Sequence, residues 1–447
     1  MKQTVTFSSY LAKISFIAAL YLTLPMLFAF SGGMSTAGSF GCSVICFFLL
    51  LWISVHLLLG SKYVKFYLIA FAFLIVLSVI HYLGLVDPSY FSSNGGPSSS
   101  FWREHLSVYD NLENLIDDRH NHGLLFFDGT SWEVSHPEIW RLISWPTTFL
   151  GHKWLNYTPI NAFSSLLASA NLMVCYHHSY YKETNNDEVK RKFVLFFTAF
   201  FPQFILCDTV WRDPFGIALM SIGLVMLTLS ESMPNKMLSF AILVVFSFLQ
   251  RSVYIVIAGA AFAIREMTYK KRAGNMFLLP LFVILFLVLV NYFNSNVAED
   301  YTSAYVGQVS VLTLPLKIVF GLIGPFPWTQ FVIVREFNAS FNFQLRDYLT
   351  GVFQIGYLYS IIANWKYLSF KKPDYLTIMG FGIAFSGVMT TMMHIGYISE
   401  GLYFTLPWLF SQIGAKYKDY FLWSFISLVL LNILTIILGT SGMRGIL

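Results

Sequence analysis

The stretch SFGCSVICFFLLLWISVHLLL, residues 39–59, contains no Asp, Glu, Lys or Arg. A helix of roughly 20 apolar residues is long enough to cross the hydrocarbon core of a bilayer. The composition agrees with this reading, since 56% of the 447 residues are hydrophobic and only 11% are charged, against about 25% charged in a soluble domain. The mean hydropathy is +0.63. We therefore predict an integral membrane protein and exclude a water-soluble globule.

Similar apolar windows recur along the chain. They predict an all-α polytopic membrane protein, a single integral membrane domain over residues 1–447 with about 12–14 transmembrane helices. The windows lie near 11–30, 39–59, 66–86, 157–176, 193–211, 215–230, 237–249, 252–264, 276–294, 346–363, 375–394, 402–415 and 420–439. The first window leads at once into the next, so we expect it to remain as a span and not to be cleaved as a signal.

Basic residues between the windows predict the orientation. Of the 28 Lys and Arg residues, 18 fall on one side if every window crosses the membrane once. They lie at 2, 13, 62–65, 182–192, 236, 265–272, 366–372 and 416–418. The positive-inside rule makes this side cytoplasmic.

Two long segments then face outward. Residues 87–155 carry nine acids and several tryptophans, and a segment this long is expected to fold back on the membrane surface as short amphipathic helices. Residues 295–345 form the second. They contain an apolar stretch, 314–328, which is broken by Pro and Gly and is predicted to be re-entrant or interfacial.

Arginines on the outer side are the first candidate ligands. Arg212 lies in the motif WRDP at 211–214, between two windows joined by almost no loop. Asp followed by Pro predicts a helix start with Asp213 as N-cap, where a helix dipole attracts phosphate. Arg346, also followed by Asp, repeats the arrangement before the window 346–363. Either arginine could instead reach a lipid headgroup or pair with its neighbouring aspartate.

Arg251 lies between the windows 237–249 and 252–264. Helices of about 13 residues would end below the membrane surface, so we expect Arg251 to face a cavity. An arginine at the bilayer centre costs about 3 kcal/mol on insertion scales, which a ligand or a buried ion pair would have to offset. Several guanidiniums on one side favour a pyrophosphate ligand, because the planar fork binds phosphate oxygens in pairs. Arg335 is a fourth candidate.

The first outer segment supplies candidates for acid–base chemistry. Asp128, Glu133 and His136 could deprotonate an acceptor hydroxyl; the alternative is a solvated acidic loop. Trp132 and Trp140 lie in the same polar surroundings, where an indole ring can stack on a sugar. No phosphate-binding glycine loop, serine-nucleophile signature or metal-ligand spacing occurs, so no cofactor or metal is expected. The net charge of +5 does not indicate nucleic acid.

A family resemblance rests on several of these segments. Pro202, the WRDP motif and FLQR at 248–251 flank a helix pair, and GPFPW at 324–328 follows the broken apolar stretch. With the multi-span topology, they resemble the Wzy-type O-antigen and exopolysaccharide polymerases of bacteria. Arg212 and Gly223 also fit the Arg, ten residues, Gly spacing of some members. Relatives often carry an arginine near the last helix pair, where this chain has ISEGLY at 398–403.

The resemblance implies a GT-C-like glycosyltransferase in the bacterial inner membrane. Such an enzyme polymerises undecaprenyl-pyrophosphate-linked oligosaccharide repeats on the outer face, without a nucleotide sugar or metal. It also implies a chain-length regulator of the Wzz type as a partner. The arginine set would then hold the pyrophosphate and stabilise the charge that develops as the glycosidic bond breaks. The alternatives are an O-antigen ligase or another transferase with a polyprenyl donor and, from a different class, a lipid or oligosaccharide flippase.

Overall fold

The computed structural model describes residues 5–80, 137–151, 154–180, 190, 193, 213–270, 341–368, 373–389 and 395–438, which contain only helices and the turns between them. These residues form twelve α-helices: α1 (Phe7–Thr23), α2 (Thr36–Leu59), α3 (Ser61–Ile80), α4 (Pro137–Leu150), α5 (Tyr157–Ser179), α6 (Asp213–Leu229), α7 (Met233–Gln250), α8 (Ser252–Lys270), α9 (Phe341–Asn364), α10 (Tyr375–Met389), α11 (Ile395–Ile413) and α12 (Tyr417–Leu438). Short 3-10 segments follow α1 (Leu24–Gly33) and precede α5 (Trp154–Asn156) and α12 (Gly414–Lys416).

The apolar windows correspond closely to these helices. Eleven of the thirteen windows coincide with a described helix, and the all-α prediction is confirmed for this part of the chain. The other two windows, 193–211 and 276–294, lie outside the described residues apart from position 193.

Three helical stretches in the described part of the chain are long and apolar enough to cross a membrane. They are Phe7–Gly33, Thr36–Leu59 and Met233–Gln250. The pair Ile398–Ile413 and Lys418–Leu434, bent by 119° at a short break, adds a fourth if it is one span. Their length and composition support a membrane protein. The predicted total of 12–14 crossings stays a prediction.

The helices that fail this test include one that is buried on every side. In α5, all residues from Tyr157 to Cys175 are buried, although many of them are polar. Their polar groups are bonded inside the protein: Ser164 Oγ donates to Ile160 O at 2.8 Å, and Asn171 Nδ2 donates to Ser221 Oγ of α6 at 2.9 Å. A helix that contacts only protein does not need an apolar surface, which explains why hydropathy underestimates it.

The outer faces show the opposite composition. Large apolar side chains are widely exposed on α1 with its 3-10 segment, on α7 and on α12; examples are Phe30 at 63%, Val245 at 55% and Trp423 at 61%. Soluble proteins do not present such extended apolar faces to water. Apolar side chains outside and polar groups inside are the arrangement expected of helices that pack together within lipid.

The described contacts distinguish the two opposite ends of the hairpin formed by α7 and α8. At one end, Lys236 of α7 contacts Glu266 of α8; we call this the lysine end. At the opposite end of the same two helices, α7 meets α8 at Arg251, and Asp213 at the start of α6 contacts Gln250; we call this the Arg251 end. The sequence assigns the lysine end to the cytoplasm, and that orientation stays a prediction.

The helix α4 is the part of the predicted outer segment 87–155 that the structure describes most fully. It buries Ile139 and Ile143, while Trp145 is 37% exposed and donates from Nε1 to Leu22 O at 2.9 Å. The helix thus packs with one apolar face on the end of α1. The predicted re-entrant stretch 314–328 lies outside the described residues.

Candidate functional site

Arg251 interrupts the hairpin of α7 and α8. Its backbone is extended, with φ −161° and ψ 132°, and its N–H donates to Ser247 O at 2.8 Å to close α7. Its carbonyl accepts from the Tyr254 N–H at 2.9 Å, which opens α8. The side chain is 18% exposed. Arg251 is therefore fixed through its backbone on both sides, while part of its side chain reaches the surface of the protein.

The predicted length of the two flanking helices is wrong. The helices α7 and α8 have 18 and 19 residues, where the sequence windows predict about 13 each. The windows omitted the polar turns at Met233–Lys236 and Arg265–Lys270, which stay helical because backbone hydrogen bonding does not require apolar side chains. The partial burial of Arg251 comes from its neighbours and not from short helices.

The carboxylate of Asp213 is one partner of Arg251. Its Oδ1 accepts from Gln250 Nε2 at 2.8 Å and lies 3.4 Å from Arg251 Nη2. A well-formed charge-assisted bond is about 2.7–2.9 Å, so the neutral amide makes the closer contact and the guanidinium the looser one. The predicted helix start is correct to within one residue, because α6 begins at Asp213 itself. Asp213 bonds the neighbouring hairpin in place of the predicted N-cap role.

Two glycines of α6 explain how closely α7 approaches it. A Cβ at Gly216 would collide with Gln250 Oε1, and one at Gly223 would lie 2.9 Å from Leu243 Cα. Gly223 is the glycine of the Arg, ten residues, Gly spacing. In this chain it therefore has a packing role, which lets α6 and α7 come together so that Asp213 reaches Gln250 and Arg251.

A second buried polar pair lies one helical turn beyond Arg251. The Tyr254 hydroxyl donates to Glu400 Oε2 of α11 at 2.7 Å, and Glu400 is fully buried. Beside it, Gln354 Nε2 of α9 donates to Ser399 Oγ at 3.1 Å. Ionisable groups among apolar helices are costly, and their presence indicates a functional or specifying role. The Arg251 end of the bundle thus carries a polar network that spans α6, α7, α8, α9 and α11.

The structure describes only some of the predicted site residues. Arg251 is described in full, and the backbones of Arg346 in α9 and Trp140 in α4 are helical. Glu133, His136, Asp128, Arg212, Arg335 and Trp132 lie outside the described residues. Arg212 immediately precedes Asp213, and Arg346 is in the second turn of the helix that carries Gln354. That Arg212, Arg251 and Arg346 lie together stays a prediction, since only Arg251 of the three has a described side chain.

Three site residues were missed as candidates from the sequence. Gln250 is part of the motif FLQR, Tyr254 is one of 25 tyrosines, and Glu400 lies in ISEGLY, so the local sequence marks none of them as a site residue. Glu400 did carry a usable signal, because a lone acid beside an apolar window is rarely placed without a partner. Its partner Tyr254 is 146 positions away in the chain, so no local pattern identifies it.

The lysine end provides a comparison of similar chemistry. Lys236 Nζ lies 2.6 Å from Glu266 Oε1, with side-chain exposures of 17% and 14%. The Tyr375 hydroxyl donates to the same carboxylate oxygen, and the guanidinium of Arg265 lies 5.9 Å from the Tyr375 ring centroid. This cluster joins α7, α8 and α10. Over the described ranges, no three His, Cys, Asp or Glu residues are grouped so that they could hold a metal ion.

Comparison with known proteins gives no relative. Neither a family model, nor a curated protein, nor a solved structure matches this chain. Its function is therefore inferred from the geometry at the Arg251 end together with the pattern of its sequence.

Proposed function

We propose that this protein is a glycosyltransferase that polymerises undecaprenyl-pyrophosphate-linked oligosaccharide repeat units on the outer face of the bacterial inner membrane. Membrane lipid surrounds it, and a chain-length regulator of the Wzz type is its expected partner. The observation that carries the proposal is Arg251, an arginine with a partly exposed side chain in a break between two long helices. Arg212, Arg346 and Arg335 are the further candidates for binding the pyrophosphate, from the sequence pattern alone.

The loose contact between Arg251 and Asp213 suits a ligand that arrives and leaves. A pyrophosphate carries more negative charge than one carboxylate and offers oxygens for paired hydrogen bonds. It can draw the guanidinium away from Asp213, whose Oδ1 keeps its 2.8 Å bond from Gln250. Gln250 thus keeps the buried carboxylate bonded while Arg251 serves the substrate, and this avoids the cost of an unpaired buried charge.

The reaction requires charge stabilisation at one place and a proton acceptor at another. The bond between the anomeric carbon of the donor glycan and its pyrophosphate oxygen breaks, and the acceptor sugar's hydroxyl oxygen bonds to that carbon. The leaving pyrophosphate gains negative charge, which fixed guanidiniums stabilise more strongly than they stabilise the bound substrate. The hydroxyl proton passes to a base, for which Glu133, His136 and Asp128 are the candidates. Trp132 and Trp140 are proposed to stack on the sugar rings.

The nearest alternatives use the same donor chemistry. An O-antigen ligase or another polyprenyl-donor transferase would also need guanidiniums for pyrophosphate, and the nature of the acceptor distinguishes them. A flippase would need charges along a path that opens to both sides. The described network from Asp213 to Glu400 lies at one end of the bundle, which favours the transferase.

The test is polymer formation by the purified protein in liposomes with its lipid-linked repeat unit. In the double variant Asp213→Asn/Arg251→Gln, both charges of this pair are removed together, so Asp213 is not left as a buried charge without its guanidinium. We expect the rate of polymer formation to fall about 100-fold. This is the typical effect of removing one hydrogen-bond donor that stabilises a transition state. The control is Lys236→Gln/Glu266→Gln, which removes an ion pair of similar exposure at the lysine end.

Two outcomes would contradict the proposal. Full ladders from both double variants would show that Arg251 has no role in binding pyrophosphate. An unchanged surface glycan in a strain that lacks the gene would reject the polymerase itself, since a polymerase-deficient strain should display single repeats.

A further inference from the structure

We infer that Glu400 and Tyr254 are positioning residues that hold Arg251 in the direction needed to meet a pyrophosphate. The inference rests on the proposed function. It gives a role to Glu400, in the segment where the family resemblance leads one to expect an arginine that this chain lacks. Members of the Wzy-type family that the sequence resembles often carry an arginine near the last helix pair, where this chain has Glu400. Glu400 contacts the Tyr254 side chain, and the Tyr254 backbone contacts Arg251 in the break between α7 and α8.

The first step is the path from Glu400 to Arg251. Glu400 Oε2 accepts from the Tyr254 hydroxyl at 2.7 Å, and both residues are buried. The Tyr254 N–H donates to the Arg251 carbonyl at 2.9 Å. Tyr254 is therefore joined to α11 through its side chain and to Arg251 through its backbone. A shift of Tyr254 would move the first turn of α8 and, with it, the extended residue that carries the guanidinium.

The second step is the rigidity of the helix that carries Glu400. A Cβ at Gly401 would collide with the backbone of Ala384 and with Gly380 O, so α10 and α11 are in backbone contact beside Glu400. Gly382 of α10 lies as closely against Ile257 of α8, where a Cβ would be 2.6 Å from Cγ2. Small residues that permit such close packing are a common basis of helix association in membranes. Glu400 thus projects from a helix that is firmly packed.

The third step separates positioning from catalysis. Glu400 is 0% exposed, and Tyr254 is 1% exposed, so an acceptor sugar does not reach the carboxylate in this structure. Arg251, by contrast, is partly exposed. Of the groups in this path, the guanidinium is the one placed to touch substrate. The carboxylate and the hydroxyl act behind it.

The experiment compares two tyrosines that make similar buried bonds to the same helix. Tyr254→Phe removes the bond to Glu400, and Tyr357→Phe removes the 2.6 Å contact between the Tyr357 hydroxyl and Thr405 Oγ1 of α11. Each loses one buried hydrogen bond, and thermal stability should fall more in Tyr254→Phe, because its partner is a carboxylate and that of Tyr357 is a hydroxyl. The measurements are kcat and KM for the lipid-linked donor, together with the Kd of farnesyl pyrophosphate as a soluble probe.

We expect Tyr254→Phe to weaken farnesyl pyrophosphate binding about tenfold and to lower kcat/KM about tenfold. A tenfold change corresponds to the free energy of about one hydrogen bond. Tyr357→Phe should stay within about twofold of wild type in both measurements. Glu400→Gln should retain most activity, because its amide oxygen still accepts from the Tyr254 hydroxyl. Glu400→Leu should behave as Tyr254→Phe does.

Equal effects from the two tyrosine variants would overturn the inference, since the Tyr254 bond would then be structural only. Loss of all activity in Glu400→Gln with an active Tyr254→Phe would also overturn it, because Glu400 would then act as an acid or base itself. If the wild-type protein makes no polymer, the proposed function fails, and the farnesyl pyrophosphate Kd alone decides the positioning role.

Discussion

At the level of single residues, one carboxylate oxygen contacts two neighbouring side chains at the Arg251 end of the bundle. Asp213 Oδ1 accepts from an amide on one side and faces a guanidinium on the other. The amide oxygen of Gln250 lies against Gly216, the only residue type that leaves room for it. The arrangement of the arginine therefore depends on a residue without a side chain on the facing helix.

Gly216→Ala and Gly223→Ala should have opposite consequences for function and stability. At Gly216 the new methyl meets the tip of the Gln250 side chain, which can swing aside; at Gly223 it meets the Leu243 backbone, which cannot. We expect Gly223→Ala to cost about 1–3 kcal/mol of stability by overpacking and Gly216→Ala to cost less. Gly216→Ala should instead raise the donor KM. Thermal unfolding in detergent and the polymer assay measure the two effects, and a larger stability loss for Gly216→Ala would contradict this account.

Single residues differ in how far the sequence could predict their role. Arg251 stands out because a guanidinium between two apolar windows needs an explanation, and its guanidinium is indeed partly buried. The use of Gln250 to bond Asp213 could not be predicted, because an amide at a helix end is common. The contact between Tyr254 and Glu400 depends on α8 and α11 both packing against α10, at Gly382 on one side and at Gly380 with Gly401 on the other.

Element scale: the contact between α10 and α11 illustrates how membrane helices approach without large side chains. Gly380 and Ala384, four residues apart on α10, receive Gly401 of α11. The spacing matches the small-residue motif of transmembrane helix pairs, in which close backbones gain dispersion contacts. Glu400 lies immediately before Gly401. One turn of α11 therefore carries both the close contact with α10 and the hydrogen bond with Tyr254.

Gly401→Ala should disrupt the pair of helices. The added methyl would meet backbone atoms of Ala384 and Gly380, which have no room to yield, and we expect a loss of about 1–3 kcal/mol. The matched control is Gly41→Ala in α2, where nothing lies within 4 Å of the new methyl. That change should be neutral or stabilising by up to about 1 kcal/mol, because alanine favours helix more than glycine does.

The melting temperatures of the two glycine variants, measured in the same detergent, provide the comparison. Equal stability of both variants would show that the close contact between α10 and α11 does not limit the fold.

For the molecule as a whole, one labelling experiment tests both the predicted orientation in the membrane and the flippase alternative. Lys62 and Lys418 are exposed, and the positive-inside rule assigns both to the cytoplasm. In a background in which the four cysteines are replaced, single cysteines at these two positions should react with a membrane-impermeant maleimide only in inverted vesicles. A cysteine at Arg251 should react only from the outer side.

Labelling of all three positions from the same side would refute the predicted topology. Labelling at position 251 from the cytoplasmic side, in any state of the protein, would favour a transporter over a transferase.

The sequence predicts the helices of the whole molecule better than it predicts their assembly. Hydropathy locates eleven windows correctly because each of these helices carries enough apolar side chains to register as an apolar stretch. It does not reveal that α5 is enclosed by its neighbours, because Ser and Asn read as polar whether they face water or another helix. The two polar networks, at Arg251 and at Lys236, join residues too distant in the chain for any periodic pattern to connect.

The enclosure of α5 has a consequence for how the protein is made. Asn171 of α5 bonds Tyr10, which is synthesised earlier, and Ser221, which is synthesised later. When α5 has just left the ribosome, Ser221 is not yet in place, so Asn171 can form only its hydrogen bond with Tyr10. A helix so rich in hydroxyl and amide groups would not settle stably among acyl chains by itself. Biogenesis should therefore hold α5 beside α1 within the insertion machinery until α6 emerges, and chains truncated before Ser221 should be degraded faster than those that end after α6.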